Sequence, residues 1–289
     1  MRHSQFQYHA SAYGLSGQYD RPTKHSIPTQ ACAALTPSGG RAFHRVSNYK
    51  SDGFVSFDEA YVDIGGSYDD ENKKHTIYAS AVIEGLNIGD VLTADRVVSR
   101  MYSYAPDDDD DKSETSWDIT GSHYDNLRIA GHKLEVKLAT HVFHQHDTYS
   151  GLAQAHAAAT SDDWLLGSKL SNISADQLQE LENEYSALRG MSKLVAQCKN
   201  KKGRPQDQGR YFFSPANDLD LKAQIGTSEL EHFGSIICIP KFGVIRLAEL
   251  VVHPYFRHLT MIRVQMCSSG SGGADTTGSG TGGTKPPPG

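Results

Sequence analysis

Three closely spaced histidines give the chain its best claim to chemistry. His141, His144 and His146 stand in the run His141-Val142-Phe143-His144-Gln145-His146-Asp147, with His132 and His156 nearby in sequence. Neutral imidazole is the commonest transition-metal ligand, so the run is competent to hold a divalent ion. Continued as a strand, it projects His144 and His146 on one face and His141 on the other. The HExxH spacing of helical zinc sites is absent, and Leu138 stands where a cupin-type site wants glycine six residues before the His-x-His pair. The run supports either a metal-binding hydrolase centred on His141, His144 and His146 or a polar strand end facing water. The second reading asks less of the sequence.

Carboxylates are the other source of chemistry. The run 107–111 is unbroken aspartate after Pro106 and is followed by Lys112. An EF-hand loop counted from Asp107 needs glycine sixth and glutamate twelfth, but those places hold Lys112 and Asp118. Adjacent like charges repel and cannot all reach one ion, so the run reads as a solvated hairpin tip. Asp58 with Glu59, and Asp162 with Asp163, are neighbours that point apart on a strand, which gives no glycosidase pair. A GxSxG elbow, GxGxxG and a Walker loop are all missing, and no thiol has a usable histidine near it. No catalytic residue and no cofactor site can be named from the sequence beyond that divalent ion.

Composition narrows the class further. Of 289 residues, 28 are Lys or Arg and 34 are Asp or Glu, so the formal charge is −6 and gives no field favouring nucleic acid. The basic stretch 199–210 lacks the interleaved aromatics on which single strands stack, and reads as a solvated loop. No apolar run reaches the roughly 18 residues of a helical membrane span. The N-terminal dozen residues lack the apolar run of a secretory signal, so as written the chain does not direct its own export. The four cysteines, Cys32, Cys198, Cys238 and Cys267, are widely separated and form no CxxC pair, as expected of isolated thiols.

The elements that must position these groups are mostly strands. Short runs rich in Val, Ile, Tyr and Thr, bounded by Gly, Asp and Asn, occupy residues 54–64, 75–88, 91–104, 116–120 and 134–144. Further runs follow at 234–239, 243–252 and 259–266. Five strands in succession before a helix predict antiparallel rather than βαβ structure. One amphipathic helix is expected near 174–189, from the Ser174 and Gln177 capping box, the stripe Leu178, Leu181, Tyr185 and Leu188, and the stop at Gly190.

The expected architecture is therefore an antiparallel β-sandwich over residues 41–267 with that helix inserted. Residues 1–40 are expected to be an extended arm with one or two edge strands at most. Residues 268–289, with eight glycines among Ser, Thr and Pro, are expected to be a disordered spacer. An unevenly spaced echo of apolar-x-Ile-small segments near Ile64, Ile88 and Ile129 keeps a β-helix as the alternative.

Four segments resemble the bacterial choice-of-anchor P proteins. They are Ala12-Tyr13-Gly14-Leu15-Ser16, ASAVIEGLNIGDVLTADRVVSR at 79–100, GSHYDNLRIAGH at 121–132 and IPKFGVIRLAELVVHPYFRHLTMIRVQM at 239–266. Together they spread the similarity over most of residues 11–267, through strand and turn patterns rather than catalytic signatures. The resemblance implies an exported, β-rich, non-catalytic protein held at or released from the cell surface, with a protein or cell-surface partner. It implies no catalytic residue. The chain departs from the family in having no leader, sorting motif or spanning helix within it.

Overall fold

Alternating apolar residues along long strands need a second sheet to cover them, and the protein meets that need with two antiparallel sheets face to face. The structure, a computed structural model, describes residues 6–19, 25–107, 113–158, 175–184, 211–216, 231–266 and 272–284. Strands β1 (Gln7–Tyr19), β2 (His25–Ala34), β3 (Gly40–Ser51), β4 (Val55–Asp69), β5 (Lys74–Ile88) and β6 (Leu92–Pro106) come first. The short strands β7 (Ser116–Asp118), β8 (His123–Asp125), β9 (Arg128–Ile129) and β10 (His132–Lys133) follow. Helices α1 (Thr140–Gln145), α2 (Tyr149–Ala158) and α3 (Ala175–Glu184) precede β11 (Tyr211–Phe213), β12 (Glu231–Phe233) and β13 (Ile236–Ile239). The described chain closes with β14 (Gly243–Val252), β15 (Arg257–Met266) and β16 (Gly272–Thr284).

The first sheet runs β12-β13-β14-β15-β16-β1-β2, with β11 paired to β14. The second runs β10-β9-β6-β5-β4-β3, with β7 and β8 paired to β6. Strand β1 lies over β4 and β5, and β16 lies over β5 and β6, so the two sheets share one core. All the described pairings are antiparallel, which is the expected sandwich and not the parallel stacking of a β-helix. Part of the expected amphipathic helix is present as α3, while Ser174, Tyr185, Leu188 and Gly190 lie outside the described residues.

The boundaries expected from composition fail at both ends. Within residues 1–40, β2 is an edge strand of the kind expected of the arm, whereas β1 lies inside the sheet between β16 and β2, with Tyr8, Ala10, Ala12 and Leu15 buried. Tyr8, Ala10 and Ala12 alternate with Gln7, His9 and Ser11, a period-2 pattern written in small residues. Within 268–289, residues 272–284 form a strand hydrogen-bonded to β15 on one side and β1 on the other, where a disordered spacer was expected. Glycine is costly to order, but a central strand pairs its backbone on both edges, and that ladder offsets the cost. The inner face of β16 is hydroxylic: Ser279 Oγ lies 2.6 Å from Ser99 Oγ and Thr281 Oγ1 lies 2.5 Å from Ser103 Oγ, all four residues buried. Each hydroxyl thus meets a partner across the sandwich, which removes the penalty of burying it alone.

Side-chain alternation reverses midway along the strands. On β5, Ile77, Ala79, Ala81 and Ile83 are buried, and then Leu86 and Ile88. On β6 the buried set changes from Leu92 and Ala94 to Val97, Ser99 and Met101. The reversals align across the second sheet. Residues Asn48, Asp58, Gly85, Asp95 and Asn126 stand opposite one another, between flanking pairs such as Ser47↔Glu59 with Tyr49↔Phe57 and Glu84↔Arg96 with Leu86↔Ala94. Positive φ falls at Asn48 (55°), Gly85 (64°) and Asn126 (50°). The first sheet repeats the device through Ala248, Met261, Thr277, Gly14 and Ala31, with positive φ at Ala248 (50°), Thr277 (45°) and Ala31 (47°).

Two stability measurements follow. Thr277 is β-branched, sits in the left-handed region and leaves Oγ1 with no hydrogen-bond partner among the described residues. Thr277→Gly is expected to raise stability by about 1 kcal/mol in urea titration, because it removes both penalties. Deleting residues 272–284 exposes two sheet edges and the inner hydroxyls. It is expected to abolish the cooperative melting transition seen by circular dichroism, and an unchanged midpoint would show that β16 contributes nothing.

Candidate functional site

The histidine run folds as α1, not as a strand. Phe143 is fully buried against Trp117 and Phe213, with ring centroids 5.7 Å away in each case, and this anchors one side of the helix. His141 and His144 are i and i+3, so they share a face one turn apart, and both are exposed. His146 is the C-cap residue, its N–H donating to the Val142 carbonyl. The expected pairing of His144 with His146 is thus replaced by His141 with His144, because buried Phe143 dictates a helical period here. His132 lies exposed on β10. Among the described residues no three His, Cys, Asp or Glu side chains come together as a metal site. The acidic run beyond Asp107, the basic stretch 199–210, Cys198 and Cys267 lie outside the described residues.

One array has the outline of a triad. The Tyr8 hydroxyl lies 2.7 Å from His75 Nδ1, and His75 Nε2 lies 3.6 Å from an Asp107 carboxylate oxygen. Phe6 stacks on the His75 ring at 3.9 Å. Burial and the nearby Asp107 charge push the Tyr8 hydroxyl pKa up, so the phenolate a nucleophile requires is disfavoured. The array fastens the start of β1 to β5 and β6.

The outer face of the second sheet is occupied by its own charges. Arg41 donates two hydrogen bonds to Asp63, at 2.9 and 2.7 Å, and Tyr78 donates to the same carboxylate at 3.0 Å. Arg45 forms a bidentate pair with Glu59, and Arg96 pairs with Glu84 at 3.5 Å. The neighbouring groups hold each carboxylate of Asp63 and Glu59 below its usual range. Such exposed pairs contribute little stability, but they leave this face little unspent charge for a ligand.

The outer face of the first sheet is different. Three glycines of β16, Gly278, Gly280 and Gly282, point outward beside Tyr13, His258 and the Tyr255–Phe256 turn. A Cβ at Gly278 would lie 2.2 Å from the Tyr13 ring, and one at Gly282 would lie 2.4 Å from the Tyr255 carbonyl oxygen. The glycines therefore let aromatic residues lie directly on the sheet, with the Tyr13 and His258 rings stacked at 6.2 Å. Next to them opens a groove of about 610 Å³, lined by His9, Ser11, Ala34 and Leu35 on one side and by Tyr255 and Phe256 on the other. That volume falls in the ~300–1,000 Å³ range of small-molecule sites.

Tyr255 and Phe256 form the lip, 65% and 37% exposed, and His253 stacks on Phe256 at 4.7 Å to hold the turn. Arg257 also borders the groove, but it is buried and its Nη2 donates to the Thr115 carbonyl at 3.0 Å. Burial lowers its pKa to about 10, which keeps it cationic at neutral pH. Burial first, and then the charge of Arg263, push the His258 imidazole below its usual value, favouring the neutral ring. What this arrangement can do is hold an amphipathic molecule against aromatic rings. Among the described residues no hydrogen bond joins Ser11 to His9 or His258 as a nucleophile-and-base pair. Sequence reasoning missed the groove because one side and the floor come from segments read as an arm and a spacer; the signal available was the alternation of glycine with Ser and Thr from Gly278 to Gly282.

His258 has a testable pH consequence. The unfolded chain protonates this histidine near 6.5, whereas the folded chain resists. Its contribution is whole above that pH and is lost as pH falls below it. His258→Gln is expected to narrow the difference between urea midpoints at pH 7.5 and pH 5.5, and an unaltered difference would show that the ring is not held neutral.

The chain belongs to the family described as a domain of unknown function (DUF8256), whose profile matches residues 6–253. No curated protein matches, and neither does any solved structure.

Proposed function

We propose that the protein is a non-catalytic bacterial surface or interaction protein that holds its ligand in the groove between Tyr255–Phe256 and His9–Ser11. The observation that carries this reading is the exposed aromatic lip beside a concave floor of small residues. Large apolar side chains left in water on a rigid scaffold are characteristic of recognition surfaces. The groove is also built from strand residues and one tight turn, which hold its shape before the ligand arrives. Surface placement rests on the similarity to choice-of-anchor P proteins, in which a β-rich body is presented outside the cell.

The test is retention on defined surfaces: microcrystalline cellulose, chitin, bacterial sacculi and gelatin. Wild-type protein is expected to be retained on at least one and released with the material chemically unchanged. The doubly substituted Tyr255→Ala/Phe256→Ala protein, with an unaltered circular dichroism spectrum, is expected to pass through. Turnover of nitrophenyl esters, phosphates or glycosides that is lost on chelation and in His141→Ala/His144→Ala would overturn the proposal, as would retention on none of the surfaces.

A further inference from the structure

Resting on that reading, we infer that the groove takes an uncharged glycan chain, binding pyranose rings by their C–H faces on Tyr255 and Phe256. Three observations converge on this chemistry. The first is charge. Glu249, which lies opposite Thr260 on the groove's side of the Ala248–Met261 level, pairs with Arg246 at 3.2 Å and with Arg263 at 2.5 Å, so the sheet's own guanidinium groups engage its carboxylate. Among the described residues that line the groove, the one Lys, Arg, Asp or Glu is Arg257, whose guanidinium is buried and turned to the Thr115 carbonyl. An anionic or cationic ligand would lose its hydration there and meet no free opposite charge.

The second observation is the pairing of apolar and polar surfaces. A pyranose with equatorial hydroxyls has an apolar C–H face and a polar rim. The negative faces of Tyr255 and Phe256 suit the C–H face, because aromatic rings attract positively polarised hydrogens. Ser11 can donate or accept, and so can the neutral imidazole of His258, which suits hydroxyls that do both. A purely apolar lipid chain would leave these groups unpaired when it covered them.

The third observation is shape. The groove is open along the outer face of β16 and β1 instead of closed over a single small molecule, and the glycines keep its floor low. An extended peptide could also lie in an open groove. Strand addition to β16 or β1 is blocked because both are paired on both sides, and a peptide added at the free edge of β2 would lie in the plane of the sheet, not across the Tyr255–Phe256 lip.

The experiment is isothermal titration of the full chain with cellohexaose and chitohexaose, set against a galacturonate hexamer and a heparin hexasaccharide. One of the neutral oligosaccharides is expected to bind with 1:1 stoichiometry and an affinity unchanged between low and high salt. Tyr255→Ala and Phe256→Ala should each weaken it by about tenfold, equivalent to ~1.4 kcal/mol. Tyr255→Phe should restore most of the affinity, because the ring face is kept. Ala34→Trp, which fills the groove from β2 without touching the lip, should abolish binding with the melting temperature unchanged. Preference for the charged oligosaccharides with strong salt dependence would overturn the glycan inference. Retention on gelatin that Tyr255→Ala removes, with no heat from any saccharide, would also overturn it while leaving the interaction reading intact. Absence of all retention and all heat would overturn both.

Discussion

The protein is organised around a single transverse line at which both sheets turn over their pleat. A strand shows alternate residues to opposite faces, and one residue of positive φ exchanges the faces beyond it. Here the exchange happens at the same level on neighbouring strands, with positive φ on every other strand: Asn48, Gly85 and Asn126 in one sheet, Ala31, Thr277 and Ala248 in the other. Were one strand to reverse alone, its buried residues would face water on one side of the line. The rows also face each other, since a Cβ on Gly14 would come within 2.9 Å of the Ala60 side chain. That contact brings the sheets close at the middle of the sandwich and makes alanine and glycine obligatory there.

The line divides the interior into two kinds of packing. On one side Leu15, Leu86, Leu247 and Ile262 belong to the large aliphatic core, which crosses the line at Ile83, Leu250 and Leu259. On the other, Ala12, Val62, Ile64, Ala79 and Ala81 form a smaller cluster in which alanine dominates. Ser99 and Ser103 meet Ser279 and Thr281 at the same end. Sheets that meet through Ala, Ser and Thr leave no room for large side chains on a central strand. A strand of Gly, Ser and Thr can therefore occupy the middle of the first sheet, where backbone pairing and matched hydroxyls replace apolar burial.

The same physics explains what was legible in the sequence. Strands β4, β5, β6, β14 and β15 carry Val, Ile and Leu, so their period-2 pattern was readable, and the antiparallel sandwich followed from them. Strand β1 alternates too, but with alanine and tyrosine against serine and histidine, a contrast too shallow to separate it from a loop. Strand β16 has no apolar side chain larger than Ala274, so its place is dictated by partners 180 residues away in sequence, such as Ser99 for Ser279. Composition rules score a segment by what it could bury alone, and this segment completes a ladder begun by others. The histidine run misled for the opposite reason. Its spacing allowed two periods, and the choice was made by Phe143 entering an aromatic cluster with Trp117 and Phe213. The groove was legible only as unexplained glycines, because its lip and its facing side, Tyr255–Phe256 and His9–Ser11, come from opposite ends of the chain.

Charge is distributed so that the two outer faces have different capacities. The second sheet carries Arg41, Arg45, Asp63, Glu59, Glu84 and Arg96, with its carboxylates already matched to arginines on adjacent strands. Exposed pairs of this kind keep a flat face hydrated and discourage edge-to-edge or face-to-face association. The first sheet gathers Arg246, Glu249 and Arg263 across the pleat line on β14 and β15, and leaves the outer face of β16 and β1 near Tyr255 and Phe256 to rings, hydroxyls and glycine. An aromatic patch floored by glycine and hydroxyls admits a ligand by shape and by ring faces, while the surrounding hydrated surface is left unfavourable for non-specific contact.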